Sequence, residues 1–69
     1  SGDTTITLNG ESRTVPQGHS VRDLLGELRL DARYLAVEIN RVVIPRARHG
    51  ETTLQPGDII EIVTLVGGG

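Results

Sequence analysis

The stretch Ile59-Ile60-Glu61-Ile62-Val63-Thr64-Leu65-Val66 does most to limit how this chain can fold. It is the most β-prone segment and is apolar on both faces of a strand, with Ile60, Ile62 and Val66 alternating against Ile59, Val63 and Leu65. Such a run belongs in the middle of a sheet, with strands on either side and an apolar element packed across it. Gln55-Pro56-Gly57-Asp58 leads into it as a turn. Proline is preset at the first corner, glycine is free to take positive φ at the second, and Asp58 reads as a turn-capping residue rather than an acid or base.

The rest of the chain supplies the neighbours and one cover. Thr4 to Leu8 alternates as a half-buried strand with Ile6 and Leu8 inward, and Asn9-Gly10 suits a type I′ turn into a polar edge strand, Glu11 to Val15. Ser20, three residues before Asp23, marks a helix start at Val21. Val21, Leu24, Leu25 and Leu28 then make one apolar face; Gly26 weakens the helix by about 1 kcal/mol relative to alanine and permits close packing. Leu35, Val37 and Ile39 share one face of another strand, Asn40-Arg41 turns into Val42 to Ile44, Pro45 ends that strand, and Arg46 to Glu51 reads as a polar connection. Only one helix-period segment exists, so one face of the sheet has no cover of its own. Val63, Leu65 and Val66 are the residues expected to lie exposed until a partner covers them.

A chain of 69 residues is one small domain, here residues 1–66 with a Gly67-Gly68-Gly69 tail; Ser1-Gly2 is set aside as a cloning remnant. Tyr34 is the sole aromatic residue, so the core is aliphatic. All seven cations are arginines scattered along a chain of net charge −2, which gives neither a basic stripe nor stacking aromatics for nucleic acid. No run is long enough to span a membrane, and the cytosol is the expected compartment. The absence of cysteine removes disulfides, thiolate metal sites and thiol transfer chemistry, and the absence of lysine removes a Schiff base. His19 and His49 stand apart without cysteine companions and read as surface or loop histidines, with no metal site expected. No catalytic cluster or cofactor loop is present.

Three segments carry a resemblance to a known family. They are Asn9-Gly10 with Ser20-Val21-Arg22-Asp23-Leu24-Leu25; Val37 to Arg46; and Gly57-Asp58-Ile59-Ile60-Glu61-Ile62-Val63 running into Val66-Gly67-Gly68-Gly69. The third is the most specific. On these the chain resembles, over essentially its whole length, the ubiquitin-like β-grasp sulfur carriers of the ThiS/MoaD family, the ThiS type in particular. The resemblance implies an α+β fold in ββαββ order, a mixed four- to five-stranded sheet with one main helix across one face.

It also implies a protein that is a co-substrate of other enzymes and not an enzyme itself. A ThiF-like adenylyltransferase, using ATP and magnesium, would adenylate the Gly69 carboxylate. Sulfur drawn from cysteine through a desulfurase persulfide would displace AMP to leave a thiocarboxylate, and a ThiG-like thiazole synthase would receive the sulfur. Gly67 and Gly68 suit threading through a narrow channel, where a Cβ would collide or restrict φ. The partner grip is expected at Val63, Leu65 and Val66, with Arg46 reaching toward an acidic surface. Rival readings within the fold are a MoaD-like or CysO-like carrier; MoaD-like tails usually carry prolines and a small polar residue where this chain has Thr64-Leu65-Val66-Gly67. A TGS-type binding module stands outside that class.

Overall fold

The structure, a computed structural model, describes residues 2–65. Asn9 and Gly10 take φ of 49° and 85°, the left-handed pair that a two-residue hairpin needs, and they fold β1 (Asp3–Leu8) back onto β2 (Glu11–Pro16). Asn40 and Arg41, at 51° and 70°, do the same without a glycine between β3 (Leu35–Ile39) and β4 (Val42–Ile44). Gly57, at 84°, makes the corner before β5 (Ile59–Thr64). The sheet order is β2-β1-β5-β3-β4, with β5 parallel to β1 and antiparallel to β3, so the most apolar strand is the central one. With β4 counted as an edge strand in its own right, the element order is ββαβββ.

The one α-helix, α1 (Val21–Glu27), starts where its cap dictates. The Asp23 amide donates to Ser20 Oγ at 3.1 Å and the Ser20 amide donates to Asp23 Oδ2 at 3.0 Å, a reciprocal capping box. The Ser20 backbone amide, and then its side chain, hold the Asp23 carboxyl below the usual carboxylate range. Val21, Leu24 and Leu25 are buried against Ile6, Val37 and Ile60 in a wholly aliphatic core. The helix ends in a Schellman arrangement: the Leu30 amide donates to Leu25 O and the Arg29 amide to Gly26 O, with Arg29 at φ 59° in the place usually held by glycine.

Three expectations need correction. The stretch after Pro45 is not a polar connection but a 3₁₀ helix, Arg46–Glu51. It buries His49 to 5% exposure, so that histidine is not a surface residue; its Nε2 lies 3.1 Å from Ile44 O, which replaces the water the ring gives up. Gly26 serves no close packing, because a Cβ there would meet no atom within 4 Å. Leu54 also joins the core, held down as the Val21 amide donates to Thr52 O and the Leu54 amide to His19 O. Among the described residues no helix is long and apolar enough to cross a membrane.

Candidate functional site

Strand alternation places Ile60 and Ile62 of β5 toward α1 and leaves Ile59, Val63 and Leu65 facing out, each 53% exposed. The register extends that face across the sheet. Ala36 of β3 stands opposite Val63, Glu38 opposite Glu61, and Val43 of β4 opposite Glu38. The result is a mainly aliphatic surface, with Val43 at 60% exposure on its far side and a cross-strand pair of carboxylates in its middle. Two like charges directly opposite one another disfavour the isolated sheet.

Two asparagines fix where β5 lies. Asn9 Oδ1 accepts from the Ile62 amide at 2.9 Å, and Asn40 Oδ1 accepts from the Ile59 amide at 3.0 Å while its Nδ2 donates to Asp58 Oδ1 at 3.1 Å. Asp58 also accepts from the Gln55 amide at 2.9 Å, the turn-capping role its place after Gly57 suggests. Both hairpin turns therefore hold the strand that leads to the tail.

At the far end of β5 the Leu65 amide donates to Tyr34 O at 2.7 Å. Tyr34 is 57% exposed, and the Arg33 guanidinium stands 5.3 Å over its ring. Arg33 is itself held by Asp31, with Nη2 2.7 Å from Oδ2 and Nε 3.1 Å from Oδ1. That side-chain contact, followed by the bond from the Arg33 backbone amide, pulls the Asp31 carboxyl down to about 2, and Asp31 raises the guanidinium in return. The chain's only aromatic ring thus lies beside the point where the described chain leaves the sheet. Composition marked Tyr34 as unique, but nothing in the sequence gave it that position.

Of the residues singled out in the sequence, Val63 and Leu65 come together on the open face. Arg46 does not join them; it lies at the start of the 3₁₀ helix, on the helix side of the sheet, and lines a cavity with α1. Val66, Gly67, Gly68 and Gly69, like the boundary drawn at residue 66, fall outside the described residues. Among the described residues no three His, Asp or Glu side chains gather as a metal site.

A five-stranded mixed sheet carrying one helix across a single face, open on the other, is the ubiquitin-like β-grasp class of small α+β domain. The sequence profile of the ThiS family matches residues 6–69, and the chain belongs to that family. A crystal structure of a thiamine biosynthesis protein (ThiS) from Geobacter metallireducens superposes with a TM-score of 0.82 at 35% identity, covering 96% of this chain and 100% of that one. The sulfur carrier protein ThiS of Bacillus subtilis is 40% identical over 50 residues, 72% of this chain and 76% of that protein. A thiazole synthase of Paramagnetospirillum magneticum is 39% identical over 64 residues, 93% of this chain; the chain spans only 20% of that protein's length.

Proposed function

We propose that this chain is a sulfur carrier for the thiazole moiety of thiamin, with the carboxylate of Gly69 as its working group. A carboxylate is a poor electrophile, because its charge is delocalised and oxide is a bad leaving group. A ThiF-like adenylyltransferase, with ATP and magnesium, therefore couples it to AMP with release of pyrophosphate. The outer sulfur of a desulfurase-derived persulfide displaces AMP to form an acyl disulfide, a thiol of the activating machinery cleaves its S–S bond and is oxidised to a disulfide, and the released thiocarboxylate passes its sulfur to a ThiG-like thiazole synthase. The chain has no cysteine on which to carry sulfur, and a terminal carbonyl carbon serves in its stead. The observation that carries the reading is the family match running through Gly69. That a similar stretch stands within a protein named thiazole synthase supports that enzyme as the acceptor.

The division of labour follows from energetics. Ordering a glycine tail in a channel costs about 1–2 kcal/mol per residue of backbone entropy, so the grip must come from elsewhere. The open face supplies it: Ile59, Val63 and Leu65 are half-exposed aliphatic side chains whose burial by a partner is worth about 25 cal/mol per Å². With the chain's activating enzyme, ATP and magnesium, the form ending at Gly69 is expected to support exchange between ATP and labelled pyrophosphate, and deletion of Gly69 to abolish it. Equal exchange by the shortened chain would place the reactive carboxylate elsewhere and overturn the reading.

A further inference from the structure

On the helix side of the sheet, away from Val63 and Leu65, lies a cavity of about 530 Å³. Its walls include Arg22 and Gly26 of α1, Leu30 and Ala32 just after it, and Arg46 and His49 of the 3₁₀ helix. Its volume is within the range of small-molecule sites, about 300–1,000 Å³. We propose that this cavity binds a phosphorylated small molecule, with the phosphate held between Arg22 and Arg46 and the organic part against the aliphatic wall.

Three observations converge on that ligand. The first is charge. Arg13, Arg33 and Arg48 are each paired with a carboxylate, whereas among the described residues Arg22 and Arg46, like Arg29 and Arg41 elsewhere on the surface, have none within 4 Å. Asp31 pairs with Arg33 and Asp23 caps α1 at Ser20, so neither carboxylate forms an ion pair with Arg46 or Arg22, although each stands near enough for its charge to be felt there. Two guanidinium groups lining one cavity from different elements, neither in an ion pair, suit a phosphate better than a single-point anion.

The second is an orphaned polar atom. Ile44 O can only accept, so His49 Nε2 carries the proton in that contact, and Nδ1 is the polar atom left over on the ring. It is buried and has no partner, although His49 is 5% exposed and forms part of the cavity wall. A buried polar atom left unpaired is costly, and a ligand that brings a hydroxyl, directly or through a water, relieves it. The third is the wall itself. Gly26 costs the helix about 1 kcal/mol relative to alanine, yet a Cβ there would meet nothing within 4 Å. Packing does not call for glycine at this position, and the open space beside it is part of the cavity.

The test is a titration of the ¹⁵N-labelled chain with inorganic phosphate, glycerol 3-phosphate and acetate at constant ionic strength, followed by amide shifts. Saturable shifts at Gly26, Ala47 and Gly50 are expected with both phosphates. Arg22→Gln and Arg46→Gln, both exposed and unpaired, should each weaken binding roughly tenfold. Gly26→Leu should block it while leaving the circular dichroism spectrum unchanged. Tighter binding of glycerol 3-phosphate places the organic part in the cavity, and equal binding overturns the role given to the aliphatic wall. Shifts that fail to saturate, that acetate reproduces at equal concentration, or that survive both arginine substitutions overturn the proposal. None of these readouts depends on the carrier reading.

Discussion

Ile60 and Val63 lie half a strand apart on β5, and the account requires them to respond oppositely. Ile60 is 0% exposed on the helix side, and Val63 is 53% exposed on the open face. Ile60→Ala removes three carbons from the core at about 0.8 kcal/mol each, and the cavity left behind brings the loss into the range of about 2–5 kcal/mol. A domain of this length holds only about 3–10 kcal/mol in all, so the variant should melt roughly 10–30 °C lower or fail to fold at 37 °C. Val63→Ala removes two carbons that are half in water already, a cost of roughly 0.8 kcal/mol. Urea unfolding followed by far-UV circular dichroism measures both; there is no tryptophan to report, and Tyr34 is too exposed to serve. The same Val63→Ala chain, although folded, should be adenylated more slowly by the activating enzyme, with the loss in KM. Equal destabilisation by the two substitutions would mean that the open face is packed in the free protein and would refute the assignment of its residues to a partner.

Three further outcomes follow from particular contacts. Ser20→Ala removes the acceptor of the Asp23 amide and should cost about 1 kcal/mol by urea unfolding, with helical ellipticity reduced. Asn40→Gly keeps the left-handed turn but deletes the bonds to Ile59 and Asp58, and should lower stability by about 1 kcal/mol, read as a shifted urea midpoint at constant slope. The Asp31 carboxyl titrates near 2 in the folded chain against 3.8 in the unfolded one, so its contribution is present above about 4 and is lost as pH falls toward 2. Asp31→Asn should therefore flatten the melting temperature against pH across that window and leave its slope above pH 5 unchanged.

The architecture was legible because most turns carried a residue whose backbone chemistry suits a turn. Asn9-Gly10, Asn40-Arg41 and Gly57 all take positive φ where the sequence placed turns, and the Ser20–Asp23 pair capped the helix where its spacing promised. The central place of β5 followed from its two apolar faces, and the open face followed from there being one helix to share. What stayed hidden depended on long-range contacts. A composition of Arg, Ala, His and Gly gives no periodicity, so the 3₁₀ helix over Arg46–Glu51 could not be seen, nor could the burial of His49 behind Ile44 O. Arg29 ends the helix in a conformation glycine usually takes, with no local signal. The exposure of Val63 and Leu65 was legible from strand alternation, whereas grouping Arg46 with them joined residues that the fold keeps apart.

The most direct measurement is the intact mass of the purified chain after incubation with the activating enzyme, ATP, magnesium and a sulfide donor. A gain equal to one sulfur for one oxygen, confined by fragmentation to Gly69 and reversed when thiazole synthase and its substrates are added, is the result predicted. A chain that stays unmodified while a known carrier is converted in parallel, or that gains its sulfur at any other residue, would contradict the account.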